Sequence, residues 1–325
     1  MLDLYKRSGN DVLEVNPVSD TIDIHITNHG SDWLWAAFSV FGLLAVINVF
    51  IFFFTSSHNR TLKRAVFVAP FLISVVMSVT YFTYASNLGY AGVPVEFHHV
   101  LTKLGLNVRQ IFYVKFIGYF LSWPFVLYEI EIANNTLDVS SRTSTGETAG
   151  ALIHVVVGLF TKLFCTEVMV LGLLIGVLIE STYKWGYFTF ATFGALVAII
   201  LVLLNTFESR KSVKSNKFAT LLILFQLPVW LLYPVAWGLS EGGNRIQPDS
   251  EAVFYGVLDL VTFAIIPNAL AWINAAGLEE NQINFHLARE NEKLPETPRA
   301  SGETAVASGV RSADGEVNET AAAEV

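Results

Sequence analysis

The stretch 255-YGVLDLVTFAIIPNALAWI-273 is apolar almost throughout, yet it carries an aspartate, Asp259, near its start. A run this long and this apolar belongs in lipid or in a tightly packed core. An ionised carboxylate there costs several kcal/mol unless something pairs with it. The fold and the function both turn on what Asp259 pairs with.

Six further runs of the same kind occur in the 325 residues. Together the seven are Trp33–Thr55, Ala65–Ala85, Ile111–Ile132, Gly150–Leu178, Trp185–Leu204, Phe218–Gly238 and Ala252–Ile273. Each approaches or exceeds the roughly 20 apolar residues that a helix needs to cross a bilayer. The runs are continuous rather than alternating with period two, so they predict helices and not a barrel. Composition agrees: 53% of residues are hydrophobic and 15% are charged, against about 25% charged in soluble domains. The expected fold is all-α, a seven-transmembrane-helix bundle of the microbial-rhodopsin kind, with a disordered C-terminal tail. Residues 1–30 read as an extracellular N-terminal segment, 31–276 as the membrane domain and 277–325 as an acidic cytosolic tail. The tail from 288, ARENEKLPETPRASGETAVASGVRSADGEVNETAAAEV, has no aromatic residue and too little apolar surface to fold alone.

Lys and Arg in the connections set the expected orientation. The first has Arg60, Lys63 and Arg64; the third has Arg142; the fifth has Arg210, Lys211, Lys214 and Lys217. The second has Lys103 and Arg109, the fourth Lys184 and the sixth Arg245. The odd connections therefore face the cytosol, with the N-terminus outside and the C-terminus inside.

The single cysteine, Cys165, excludes a disulfide framework within the chain. No Ser/His/Asp set, metal-ligand cluster or phosphate-binding glycine loop is legible, so an enzyme is not expected, nor is a metal or a cofactor. Trp230, Tyr233, Pro234 and Trp237 recur at helical spacing and place an aromatic wall on one side of the sixth helix. Such a stripe serves core packing as readily as it lines a pocket. Lys162 and Glu167 lie five residues apart in the fourth helix and point to different faces. Glu241 and Glu251 fall in a stretch that reads as a solvated loop.

These residues resemble a known family. Trp230-x-x-Tyr233-Pro234-x-x-Trp237, followed by Ser240-Glu241-Gly242 and by Val257-Leu258-Asp259, is similar to the last two helices of microbial rhodopsins. The third-helix stretch 115-KFIGYFLSWPFVLYEI-130 resembles theirs, with Lys115 at the arginine position, Pro124 at the proline and Glu129 at the cytoplasmic proton donor. The segments GSDWLWAAFSVFG, FTYASNLG, RQIFYVKF, STYKWGYF and GGNRIQPDSEAVFYGVLDL resemble the fungal opsin-related branch that includes the yeast thirty-kilodalton heat-shock proteins. The resemblance places the retinal-binding lysine of rhodopsins at Phe263 and the primary proton acceptor at Gly118. It therefore implies a plasma-membrane stress protein without a retinal photocycle, which modulates a membrane partner such as the plasma-membrane proton ATPase. Two alternatives stand beside this: residual proton or ion transport along Lys115, Asp259 and Glu129, and noncovalent sensing of an apolar ligand between Tyr119, Trp230, Tyr233 and Trp237. The resemblance also pairs Asp259 with Lys115, as an internal ion pair that outlasted the chromophore.

Overall fold

The computed structural model describes residues 10–54, 60–100, 102, 104–135, 145–210 and 216–277. Most of the expected tail lies outside this range. A short helix, α1 (Val12–Val15), precedes seven long ones: α2 (Asn28–Phe54), α3 (Arg60–Ala85), α4 (Val114–Asn135), α5 (Thr145–Leu178), α6 (Lys184–Arg210), α7 (Lys217–Trp237) and α8 (Pro248–Asp259). All seven long helices are apolar enough to cross a membrane, the last two once their continuations are included, giving spans Lys217–Gly242 and Pro248–Gly277. Each helix packs on its neighbour in sequence, and α8 returns to pack on α2, which closes the bundle into a ring. Lipid supplies no hydrophobic drive between helices, so close approach depends on small residues. Gly194 of α6 shows this, since a Cβ there would lie 2.7 Å from the Cys165 carbonyl oxygen of α5.

Local signals set the helix ends. The Asn216 side chain caps α7 by accepting from the Phe218 amide at 2.9 Å. Pro248 opens α8 with Asp249 and Glu251 in the first turn, where carboxylates suit the helix dipole. The fourth helix is longer than its expected span, and its membrane-compatible part is Val156–Leu178. Both of the last two helices pass through a wide π-type turn, Gly238–Gly242 after α7 and Leu260–Ile265 after α8. Each such turn re-aims the side chains that follow it.

The second connection is more ordered than a loop. Strands β1 (Ala91–Pro94) and β2 (Val108–Ile111) form an antiparallel hairpin with Ala91 opposite Ile111. The N-terminal segment lies along β2: Ile24 bridges Arg109 in parallel, and the Gln110 amide donates to the Ile24 carbonyl at 2.8 Å. Ile22, Ile24 and Ile26 are buried beneath this strand while Asp23 and His25 are not. These residues thus cap one end of the bundle, called here the hairpin end. The other is the Gly277 end.

Asp23 staples the cap. Its carboxylate accepts from the Thr102 hydroxyl at 2.6 Å and from the amides of Leu106 (2.8 Å), Asn107 (3.0 Å) and Val108 (2.9 Å). Partial burial works to raise its pKa, but the Thr102 hydroxyl and those amides outweigh it and hold the carboxyl below the ordinary aspartate value. The contribution is therefore complete above the unfolded value, about 3.9, and is lost as pH falls through the lower folded one. Asp23→Ala should accelerate amide hydrogen exchange at Leu106–Val108 at neutral pH. In the parent protein the same acceleration should appear only in strong acid. Equal protection in variant and parent at neutral pH would remove the staple from the account.

Candidate functional site

Asp259 is 1% exposed and lies in the middle of the bundle. Three phenols hold it: Tyr81 of α3 donates to Oδ2 at 2.6 Å, Tyr119 of α4 to Oδ2 at 2.9 Å, and Tyr233 of α7 to Oδ1 at 2.8 Å. Hydrogen bonds to a charged acceptor are the strong ones, so a cage of hydroxyls answers the burial problem posed by the sequence without a cation in contact.

The expected Lys115–Asp259 ion pair is not formed; this corrects the sequence reading. The ammonium of Lys115 lies 2.5 Å from Glu241 Oε1 and 2.5 Å from Glu251 Oε1. The reason is register. Tyr119, which reaches Asp259, follows Lys115 by four residues, so Lys115 sits a turn, about 6 Å, nearer the hairpin end. Glu251 precedes Asp259 by two turns on α8 and Glu241 lies in the π turn after α7, and both meet Lys115 at that outer level.

Glu241 and Glu251 are therefore not solvated loop carboxylates; they are 7% and 1% exposed. A second cation joins them. Arg109, wholly buried on β2, donates to Glu251 Oε2 at 2.6 Å, to Asn244 Oδ1 at 2.8 Å and to the Ile246 carbonyl at 2.9 Å. Ser240 hydrogen-bonds Glu241, and the Tyr255 hydroxyl lies 3.2 Å from the same carboxylate. Tyr255 also presents its ring to the Lys115 ammonium at 3.9 Å, within cation–π range. Two carboxylates and two cations thus form a network of balanced charge beneath the hairpin cap. Arg109, Glu241 and Glu251 were readable as charges but not as partners. The usable signal was the spacing of Glu251, Tyr255 and Asp259, four residues apart in turn behind a proline helix start.

Beneath the tyrosine cage lies an aromatic layer. Phe263 stacks on Tyr119 (centroids 5.7 Å apart, planes at 13°), Trp123 meets Trp230 edge-on at 4.7 Å, and Trp123 lies 5.5 Å from Phe263 and 6.1 Å from Tyr233. Trp123, which sequence reasoning missed, therefore occupies the space between Tyr119, Trp230 and Tyr233 where a ligand slot was expected. Trp237 does not face that space. Its indole donates to the Leu173 carbonyl at 3.1 Å and stacks with Phe188 at 5.0 Å. The residues present do not fit covalent retinal: Phe263 offers no amine, and the rings of Phe263 and Trp123 fill the layer. Gly118 gives no room for an acceptor carboxylate either, because a Cβ there would lie 2.7 Å from Thr80 Cγ2.

Glu129 lies apart from both groups. It is fully buried, accepts from the Asn274 amide at 3.0 Å through Oε1, and has no hydrogen-bond partner for Oε2 among the described residues. It does not snorkel to the interface, and no hydrogen bond joins it to Lys115 or Asp259. Elsewhere Lys162 of α5 pairs with Glu131 of α4, which Asn205 of α6 also contacts at 3.1 Å. Neither carboxylate oxygen of Glu167 has a hydrogen-bond partner among the described residues.

The family described as bacteriorhodopsin-like protein matches residues 31–273, the whole membrane bundle. The chain is 39% identical to a 30 kDa heat shock protein of Saccharomyces cerevisiae, over 96% of this chain and 97% of that one. It is 35% identical to the opsin-like protein carO of Fusarium fujikuroi, over 94% and 96%. Among solved structures it resembles a light-driven proton pump from Leptosphaeria maculans (TM-score 0.62, 22% identity, 79% of this chain and 99% of that one). It also resembles Acetabularia rhodopsin I (TM-score 0.63, 20% identity, 80% and 100%), and at these identities the two likenesses speak for the fold alone. With the family match over the whole bundle and relatives above 30% identity along nearly the full length, this multi-pass membrane protein belongs to the bacteriorhodopsin-like family.

Proposed function

We propose that the protein is a non-photochemical opsin-like stress protein of the plasma membrane that acts by binding a membrane partner, with the plasma-membrane proton ATPase as the leading candidate. The observation that carries this reading is the filled aromatic layer: Phe263 and Trp123 stand where a light-driven relative needs a chromophore. The 30 kDa heat shock protein among its relatives supports the stress assignment. Internal pairing of the charge network supports action through a partner, because Lys115, Arg109, Glu241 and Glu251 are ion-paired with one another.

The tail belongs in the cytosol on this reading. Arg109 and Lys184, two of the four cations counted for the opposite side, are committed to ion pairs with Glu251 and Glu96. Few free cations are then left there, as the positive-inside bias requires. One tagged chain tests both parts. Crosslinking in native membranes, purification through a C-terminal epitope and mass spectrometry should recover the proton ATPase in stoichiometric amount, and protease added to intact cells should spare the epitope. Recovery of the chain without the ATPase removes that partner, and loss of the epitope before lysis reverses the topology.

A further inference from the structure

At the Gly277 end the last two spans present large side chains on one side and small ones on the other. Helix α7 starts with Phe218, Leu221 and Leu222, while the span that continues α8 finishes on Ala275, Ala276 and Gly277. Alanine and glycine cannot fill the space opposite a phenylalanine and two leucines. A crevice of about 430 Å³ remains, walled by Phe218, Leu221 and Leu222 on one side and by Ile273, Ala276 and Gly277 on the other. That volume is in the range of pockets that hold small ligands. Among the described residues the one polar side chain in its lining is Asn216. The spans Lys217–Gly242 and Pro248–Gly277 begin and end at this level, so the crevice lies at the membrane boundary.

Asn216 is already engaged as the helix cap, accepting from the Phe218 and Ala219 amides at 2.9 and 3.4 Å. The polar character of the crevice mouth is therefore set by charged side chains. Residues 209–217, SRKSVKSNK, carry Arg210, Lys211, Lys214 and Lys217 and no carboxylate. Glu208 precedes them, and Glu279 and Glu280 follow Gly277, so cations stay in excess around the mouth. Lys217 is exposed, stands between two lining residues in the chain and precedes Leu221 by four, the spacing that shares a helix face.

We propose that this crevice holds an acyl chain of one anionic phospholipid, whose headgroup phosphate pairs with Lys217. The chain supplies the apolar filling that Ala276 and Gly277 do not. A lysine at the first residue of a span reaches the headgroup level, and cation clusters beside a membrane helix attract anionic headgroups. A zwitterionic lipid brings the same chain, but its ammonium adds a positive charge to a cationic mouth. The apolar lining selects a lipid over a soluble phosphate. On the topology proposed above the site faces the cytosolic leaflet, which carries the anionic lipids. The site needs no protein partner, so it stands or falls apart from the ATPase reading.

Native mass spectrometry of the purified full-length protein in detergent, offered equal amounts of phosphatidylserine and phosphatidylcholine with the same acyl chains, tests this. One phosphatidylserine per chain should be retained, several-fold over phosphatidylcholine. Lys217→Gln should abolish that preference. Arg245→Gln removes the same charge from an exposed residue of the sixth connection and should leave the preference intact. A Cβ at Gly277 meets no atom within 4 Å, so Gly277→Leu adds bulk to the crevice wall without strain and should weaken retention of both lipids. Glycerophosphoserine, the headgroup without its chains, should not displace the lipid at equal concentration. Equal retention of the two lipids overturns the proposal. So does a preference that Lys217→Gln leaves unchanged or that Arg245→Gln lowers equally, retention that Gly277→Leu leaves unchanged, or displacement by the chainless headgroup.

Discussion

Purified and mixed with all-trans retinal, the protein should develop no red-shifted visible band. The shift in rhodopsins requires a protonated imine on a lysine at the seventh-helix position, and here that residue is Phe263, fully buried and stacked on Tyr119. Among the described residues three buried lysines remain as candidates for misdirected attachment, and all are engaged: Lys115 by Glu241 and Glu251, Lys162 by Glu131, and Lys184 by Glu96. The effect is all or none, and the absorption spectrum with a borohydride-trapping control checks it. A borohydride-sensitive band above the absorption of free retinal would overturn it. Phe263→Lys alone should also fail, because Trp123 still fills the layer and Gly118 faces Thr80 in place of a carboxylate. Pairing Phe263→Lys with Trp123→Ala should at least admit the polyene. A band from the first variant and not only from the second would show that Trp123 is not the obstacle.

The seven spans were legible because the bilayer writes its demand as length and composition, and the expected segments lie within the observed helices apart from a few residues at their ends. The site was legible only as a set of misplaced charges. Lys115, Asp259 and Glu129 announce themselves by standing in apolar runs. Their partners depend on how three helices register against one another, which a single sequence does not state. The stretch from Ser240 to Glu251 is rich in glycine and polar residues and reads as a loop, so its two carboxylates read as solvated. A π turn and an early helix start draw both under the hairpin cap. Arg109 was hidden for the same reason, because nothing in the second connection announces a strand pinned by the N-terminal segment. Trp123, beside Pro124, looks like ordinary packing until Trp230 and Phe263 are seen against it. The tyrosines holding Asp259 come from three helices, and only Tyr119 and Tyr233 had been singled out, for another purpose.

The buried network should show the larger stability effects. Glu251 accepts from both cations, so Glu251→Gln leaves Lys115 with the carboxylate of Glu241 and takes from Arg109 the carboxylate it pairs with. Removing one partner of a buried pair costs on the order of 3–5 kcal/mol, so this substitution should lower stability in detergent by about that much. Lys115→Met should also destabilise, because it takes from Glu241 its cation and leaves it, among the described residues, with the Ser240 and Tyr255 hydroxyls. The double variant should lose less than the sum of the two, with a coupling of about 0.5–3 kcal/mol, as groups in contact do. The contrasting cycle pairs Lys115→Met with Asp259→Asn. Asp259→Asn replaces with an NH2 donor one of the two oxygens to which the three phenols donate, so it destabilises by itself. Its effect should nevertheless come closer to additivity with Lys115→Met than that of Glu251→Gln, since Lys115 and Asp259 are not joined by an ion pair. Thermal or denaturant unfolding of the three single and two double variants decides between the two registers. Strong coupling of Lys115 to Asp259 together with additivity between Lys115 and Glu251 would restore the pair first expected from the sequence. The reverse pattern places the lysine in the outer network and leaves Asp259 to its tyrosines.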